Sequence, residues 1–297
     1  MKRRTFAAVF PALLLLLLMV PARAEDPDWD LLPADMTEET RQPGVIQVIE
    51  YETAQWEIDK LHAGIYLPYH YDPGKYYDIV FFWPGTNGDY KDLLLTEYPM
   101  RGEDGENHPV TGKELLDRLI ETGRTRPFLL VCMHDVEFMT NKTVERDLET
   151  VMDFIEEFYS TYAADPALTR EEIRDHYTLA GFSQGAINAE GVGMVWLFDR
   201  FSSFGAISYG SRWDLIPELV DASPYSLRLL YALSGGKDDP GRYLTRHSYE
   251  VLTSMSRGAI RDGDNAILRD TARYPHDYDL ALLGLYDMLP RILDPQE

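Results

Sequence analysis

The sequence predicts an α/β fold, with a mostly parallel central sheet covered by helices on both faces. Three observations predict it. Strand-like and helix-like stretches alternate from residue 45 onward, the pattern of parallel strands joined by helical crossovers. The run Asp78-Ile-Val-Phe-Phe-Trp83 is almost wholly apolar and stops at Pro84-Gly85, as a strand buried on both faces does. The chain of 297 residues is long enough for one sizeable core, and no internal repeat or low-complexity linker divides it.

The elements follow in order. Lys2, Arg3 and Arg4 precede an apolar run from Phe6 to Val20, and Ala22-Arg23-Ala24 supplies a small-x-small site. Residues 1–24 therefore read as a signal peptide cleaved near Ala24, sending the protein to the periplasm or the medium. The run is short for a bilayer span. Residues 25–42, with Asp26, Asp28 and Asp30, read as a flexible polar arm, and 43–297 as a single domain. Val45 to Tyr51 and Leu61 to Leu67 read as strands before the central run at 78–83. Thr111-Gly-Lys-Glu114 is a capping box ahead of Leu115, Leu116, Leu119 and Ile120, and Gly123 is a natural stop. Phe128 to Cys132 reads as a buried strand. Val144, Leu148, Val151, Ile155, Phe158 and Tyr162 form one helical stripe. Thr169 and Glu172 cap a short helix before the strand Tyr177 to Ala180. Phe204 to Ser208, Leu227 to Ser234 and Ala266 to Arg269 are further strands, and Tyr278 to Leu293 is a closing amphipathic helix.

Composition excludes some functions. The net charge is −22, and removing the four basic residues of 1–24 leaves 24 basic against 50 acidic side chains, or −26. Such a surface repels phosphate backbones and anionic lipid, so neither nucleic acid nor a membrane surface is an expected partner after signal removal. The single cysteine, Cys132, forbids an intrachain disulfide, and its apolar strand makes it a structural thiol.

In a parallel sheet, chemistry belongs to loops at the carboxyl ends of strands. Gly181-Phe-Ser183-Gln-Gly185 follows the strand 177–180 and opens a stretch of small residues, Ala186 to Phe198, that reads as a helix. This is the nucleophile elbow of the α/β-hydrolase fold: a tight strand-to-helix turn lifts the hydroxyl and sets it beside a helix N-terminus. A near match, Ala206-Ile-Ser208-Tyr-Gly210, lacks the first glycine and the helix start, so Ser208 reads as structural or pocket-lining.

A serine needs a base, and the base an orienting carboxylate, in the chain order serine, acid, histidine. Only His247 and His276 follow Ser183. His276 sits in a loop between a strand and the last helix, whereas His247 lies within a helical stretch, so His276 is the expected base. The acid belongs in Gly235-Gly-Lys-Asp238-Asp239, after the strand 227–234, with Asp238 preferred and Asp239 the alternative. The oxyanion donors are expected to be the backbone N–H groups of Gln184 and of Thr86, the latter in the Pro84-Gly85-Thr86-Asn87-Gly88 turn. Trp83, Tyr209 and Trp213 fall near strand ends and are candidate pocket aromatics.

With these residues in place the chain resembles the feruloyl esterase and acetyl xylan esterase group of carbohydrate esterases. The likeness runs from about Val45 to Leu293 through Ile65-Tyr-Leu-Pro-Tyr-His-Tyr-Asp-Pro73, Gly181-Phe-Ser-Gln-Gly185, Gly-Gly-Lys-Asp238 and Pro275-His276-Asp277. The resemblance implies the same three residues, Ser183, Asp238 and His276, and no metal or cofactor. It departs where the family usually has His-Gly and this chain has Pro84-Gly85. The expected activity is hydrolysis of feruloyl or acetyl esters on plant cell-wall polysaccharide. A siderophore esterase, an acyltransferase or a peptidase on the same scaffold is the alternative, and a non-catalytic binding module is the reading from another class.

Overall fold

A computed structural model describes residues 28–54, 58–135, 141–211, 214–237 and 239–294. The segment 1–24, expected to be a signal peptide, and Trp213 and Asp238 lie outside these residues. The strands are β1 (Val45–Glu52), β2 (Lys60–Leu67), β3 (Asp78–Trp83), β4 (Tyr98–Arg101), β5 (Asn107–Val110), β6 (Phe128–Cys132), β7 (Tyr177–Phe182), β8 (Ser203–Ile207), β9 (Leu229–Gly235) and β10 (Ala266–Thr271). The helices are α1 (Tyr90–Leu94), α2 (Gly112–Glu121), α3 (Asn141–Phe158), α4 (Arg170–Arg174), α5 (Gln184–Asn188), α6 (Met194–Trp196), α7 (Ile216–Ala222), α8 (Asp239–Met255) and α9 (Tyr278–Ile292).

Eight strands form one sheet in the order β1-β2-β6-β3-β7-β8-β9-β10, and β4 and β5 form a separate hairpin. From β6 to β10 every pairing is parallel, while β2 pairs antiparallel with β6 and with β1. The predicted class is therefore the observed one. Side chains alternate across β3, so its unbroken apolar run serves two cores at once. Ile79, Phe81 and Trp83 face Val144, Leu148 and Val151 of α3. Val80 and Phe82 face Leu115 and Leu119 of α2 and Leu282 and Leu289 of α9. Each such side chain contributes roughly 1.5–3 kcal/mol on burial. Both expected capping boxes form: Thr111 Oγ1 accepts from Glu114 N–H at 3.1 Å, and Thr169 Oγ1 from Glu172 N–H at 3.3 Å.

Two expectations need correction. The helical stripe of α3 ends at Ile155: Phe158 is 61% exposed, and Tyr162 lies in a following 3-10 turn with its ring stacked on His176. Residues 28–42, expected to be a flexible arm, are packed. Leu32 and Met36 are buried, Leu32 N–H donates to Arg101 O at 2.8 Å, and Thr271 Oγ1 bonds the buried Asp30. The acidic surroundings concealed two apolar anchors spaced one helical turn apart. The polar, turn-rich stretch from Leu93 to Val110 contains the β4–β5 hairpin, which is packed: Met100 and Val110 are buried, and Arg101 N–H donates to Tyr274 Oη at 3.2 Å. No helix among the described residues is long and apolar enough to cross a membrane.

Candidate active site

β7 ends at Phe182 and α5 begins at Gln184, leaving Ser183 alone to reverse the chain. Its backbone takes φ +55° and ψ −117°, a conformation L side chains rarely adopt. The flanking glycines make the turn possible. A Cβ on Gly185 would sit 2.0 Å from Trp83 O, and one on Gly181 would sit 2.2 Å from the carbonyl carbon of Gly185. The β3 and β7 backbones and the first turn of α5 thus meet at distances that no side chain permits. Ser183 N–H donates to Ile207 O at 2.9 Å, tying the turn to β8.

The structure brings Ser183 and His276 together, with His276 Nε2 2.9 Å from Ser183 Oγ. His276 is supplied by the loop between β10 and α9, whose N-terminus is capped by the Asp277 side chain accepting from Tyr278 N–H at 2.7 Å. The imidazole is exposed and Ser183 half-buried, both lining a cleft of about 310 Å³ with Gly85, Thr86, Phe182 and Tyr278. This is the small end of the range for ligand pockets, roughly 300–1,000 Å³, and suits one compact group. The Phe182 ring centroid lies 4.9 Å from that of His276, the Tyr278 ring packs on Phe182 at 5.2 Å, and Tyr209 meets His276 edge-on at 5.3 Å.

The other expected residues divide. Thr86 is exposed on the cleft in a turn closed by Gly88 N–H donating to Gly85 O at 2.8 Å, with Asn87 at φ +58°. Gln184 is the first residue of α5, where a helix leaves its N–H groups without intrahelical acceptors. Tyr209 stands edge-on to the imidazole but is not among the residues that line the cleft. Trp83 does not reach the cleft: it is 1% exposed, and its Nε1 donates to Asp135 Oδ1 at 3.1 Å. It occupies the last inward position of β3, so strand alternation, rather than proximity to the strand end, decides where it points. Trp213 and Asp238 lie outside the described residues; Asp239 opens α8. His247 lies in mid-α8 with its ring stacked on Tyr243. Cys132 is fully buried, which holds its thiol well above the ordinary value.

Two residues unremarked in the sequence shape the site. Asp135, buried just past the carboxyl end of β6, accepts from Asn87 N–H at 3.3 Å as well as from Trp83, so it braces the Thr86 turn; burial pushes its carboxyl up to about 7. Its position after a strand was the available signal. Glu190, in the π-helical turn Ala189–Gly193 between α5 and α6, is buried; its Oε2 accepts from Ser248 Oγ at 2.7 Å and from Ser211 N–H at 2.5 Å. Burial pushes its carboxyl up to about 7. A lone acid among small residues was the only hint. Among the described residues no cluster of three or more His, Cys, Asp and Glu side chains is placed to hold a metal.

No protein-family model matches the chain. A curated relative, endo-1,4-beta-xylanase Y of Acetivibrio thermocellus, is 28% identical over 155 residues, covering 50% of this chain. The matched region spans only 13% of that much longer protein. Among solved structures, the feruloyl esterase module from Clostridium thermocellum complexed with sinapinate is 21% identical, with a TM-score of 0.72, covering 90% of this chain and 94% of that one. A ferulic acid esterase from Anaeromyces mucronatus is 17% identical, with a TM-score of 0.65, covering 90% and 98%. The enterobactin esterase of Shigella flexneri is 12% identical with a TM-score of 0.56; this chain covers 62% of it. The chain therefore has the α/β-hydrolase fold in the form shared by those feruloyl esterases.

Proposed function

We propose that the protein is an exported serine esterase that hydrolyses carboxylic esters, specifically feruloyl or acetyl groups on plant cell-wall polysaccharide. One observation carries the reading: Ser183 Oγ stands 2.9 Å from His276 Nε2, at the end of β7 and the floor of an open cleft. In this reading His276 takes the Ser183 proton as the hydroxyl attacks the ester carbon, then returns it to the leaving alcohol. It next activates water against the acyl-enzyme. The Gln184 and Thr86 N–H groups receive the tetrahedral oxyanion. Asp238 is the proposed carboxylate that stabilises the imidazolium. An exposed His276 and an open cleft suit an ester carried on a bulky polysaccharide. Phe182 and Tyr278 give the cleft an aromatic wall, with Tyr209 edge-on to His276 nearby, which suits a phenolic acyl group.

The same wall favours a second substrate for the same chemistry, a catecholate ester, in keeping with the likeness to the enterobactin esterase. A fluorophosphonate probe combined with a panel of methyl ferulate, acetylated xylan, a catecholate ester and a peptide tests both. Labelling at Ser183 with preferential turnover of methyl ferulate or acetylated xylan is the expected result. Preferential catecholate turnover selects the second substrate, and no labelling with no turnover rejects the esterase. Sequencing the N-terminus of the exported protein tests cleavage near Ala24.

A further inference from the structure

Ser208 repeats, one strand over, the backbone device that presents Ser183. β7 and β8 are adjacent and parallel. Each is followed at once by a serine at φ +55°, and each of those serines donates its N–H to the next strand: Ser183 to Ile207 O at 2.9 Å, Ser208 to Leu233 O at 2.7 Å. The two hydroxyls meet opposite nitrogens of one imidazole. Ser183 Oγ is 2.9 Å from His276 Nε2, and Ser208 Oγ is 2.8 Å from His276 Nδ1. A non-glycine residue held left-handed costs about 1–2 kcal/mol, strain that persists where surrounding structure over-determines it. Here the surroundings do so. Beyond Ser208, the Ser211 N–H is held by the buried Glu190, and Ser248 Oγ lies within hydrogen-bond distance of both Glu190 Oε2 and, at 2.8 Å, Ser211 O. A Cβ on Gly210 would lie 2.5 Å from Ser248 Cβ, so α8 closes directly over the loop.

Full burial excludes Ser208 as a second nucleophile, because no ester carbon can reach it. We propose that Ser208 is a positioning residue for His276, an inference that rests on reading Ser183 and His276 as nucleophile and base. To take the Ser183 proton, Nε2 must be unprotonated, so Nδ1 carries the ring hydrogen. Ser208 Oγ accepts that hydrogen, which selects the productive tautomer and fixes the ring plane toward Ser183. Ser208 acts together with the carboxylate proposed at Asp238, not in its place.

The test uses Ser208→Ala and Ser208→Gly in the otherwise intact protein. The glycine variant removes the hydroxyl and relieves the positive φ, so a loss shared with Ser208→Ala does not come from backbone strain. With methyl ferulate or p-nitrophenyl acetate, both variants are expected to lose kcat on the order of 10- to 100-fold with KM little changed. Loss of one acceptor at Nδ1–H disfavours the imidazolium, so the acidic limb of kcat/KM moves to lower pH. Imidazole ¹⁵N NMR is expected to show the Nδ1–H tautomer of His276 predominating in the parent and mixed tautomers in both variants. Folded variants with parental kcat, pH limb and tautomer ratio overturn the proposal. The NMR result decides it even without turnover, whereas a parent that fails to label at Ser183 refutes the nucleophile assignment instead.

Discussion

Ser183 adopts a backbone conformation that neighbouring residues tolerate only because two of them lack a side chain. The contacts around Gly181 and Gly185 are with backbone atoms, which cannot swing aside as a flexible side chain would. Gly185→Ala is therefore expected to destabilise by about 1–3 kcal/mol or more, seen as a lower urea midpoint. Any variant that remains folded is expected to lose activity, because the displaced turn carries the proposed nucleophile. Ser183→Ala is the cleaner change, since it removes one oxygen from a half-buried position. Turnover of the preferred ester is expected to fall on the order of 10³-fold or more with the thermal midpoint retained. A variant that kept its rate would remove Ser183 from the mechanism.

At the scale of elements, the helix after Ser183 is not uniform. α5 passes through the π turn Ala189–Gly193 into α6, and the π turn directs Glu190 inward to hold the loop after β8. Such turns concentrate at functional sites. The carboxyl of Glu190 is pushed up to about 7 by burial, above its ordinary value of 4.5. Between those values the folded protein keeps a proton that the unfolded chain has released. The stability this group contributes is therefore fully present below about pH 4.5 and is lost as pH rises through 7. Glu190→Gln mimics the protonated form, so its thermal midpoint relative to the parent is expected to rise from about pH 5 to about pH 8, measured by differential scanning fluorimetry. A difference that does not change with pH would remove Glu190 as the titrating group. A second element-level prediction concerns residues 28–42. Met36 is 1% exposed, and Met36→Ala is expected to cost about 2–5 kcal/mol by chemical unfolding. A truly loose arm would show almost no change.

Over the whole molecule, 50 acidic side chains oppose 28 basic ones. Several ion pairs relieve this locally. Arg126 binds Asp78 at 2.7 Å, and Arg269 binds Asp287 at 3.0 Å. The excess negative charge remains and repels itself across a compact surface. Raising the salt to ~1 M shortens the screening length to ~3 Å, and exposed ion pairs are worth only ~0–1 kcal/mol each. Added sodium chloride is therefore expected to raise the thermal midpoint at neutral pH. A fall would mean that the ion pairs, not the self-repulsion, dominate.

Much of the fold was legible because its signals are local. Capping boxes, the apolar run of β3 and the Gly-x-Ser-x-Gly turn each depend on neighbours within a few residues, while chain order narrowed the base to His247 and His276 and the loop position of His276 chose between them. The sequence by itself thus determined the fold class, the turn at Ser183 and the histidine that meets it. What it could not show depended on partners far apart along the chain. Trp83 turned inward to Asp135, Leu32 and Met36 found a distant surface, and Ser208 met an imidazole 68 positions later. Only the tertiary structure decided these, because burial and hydrogen bonding are properties of the assembled sheet and no local pattern encodes which distant groups it places side by side.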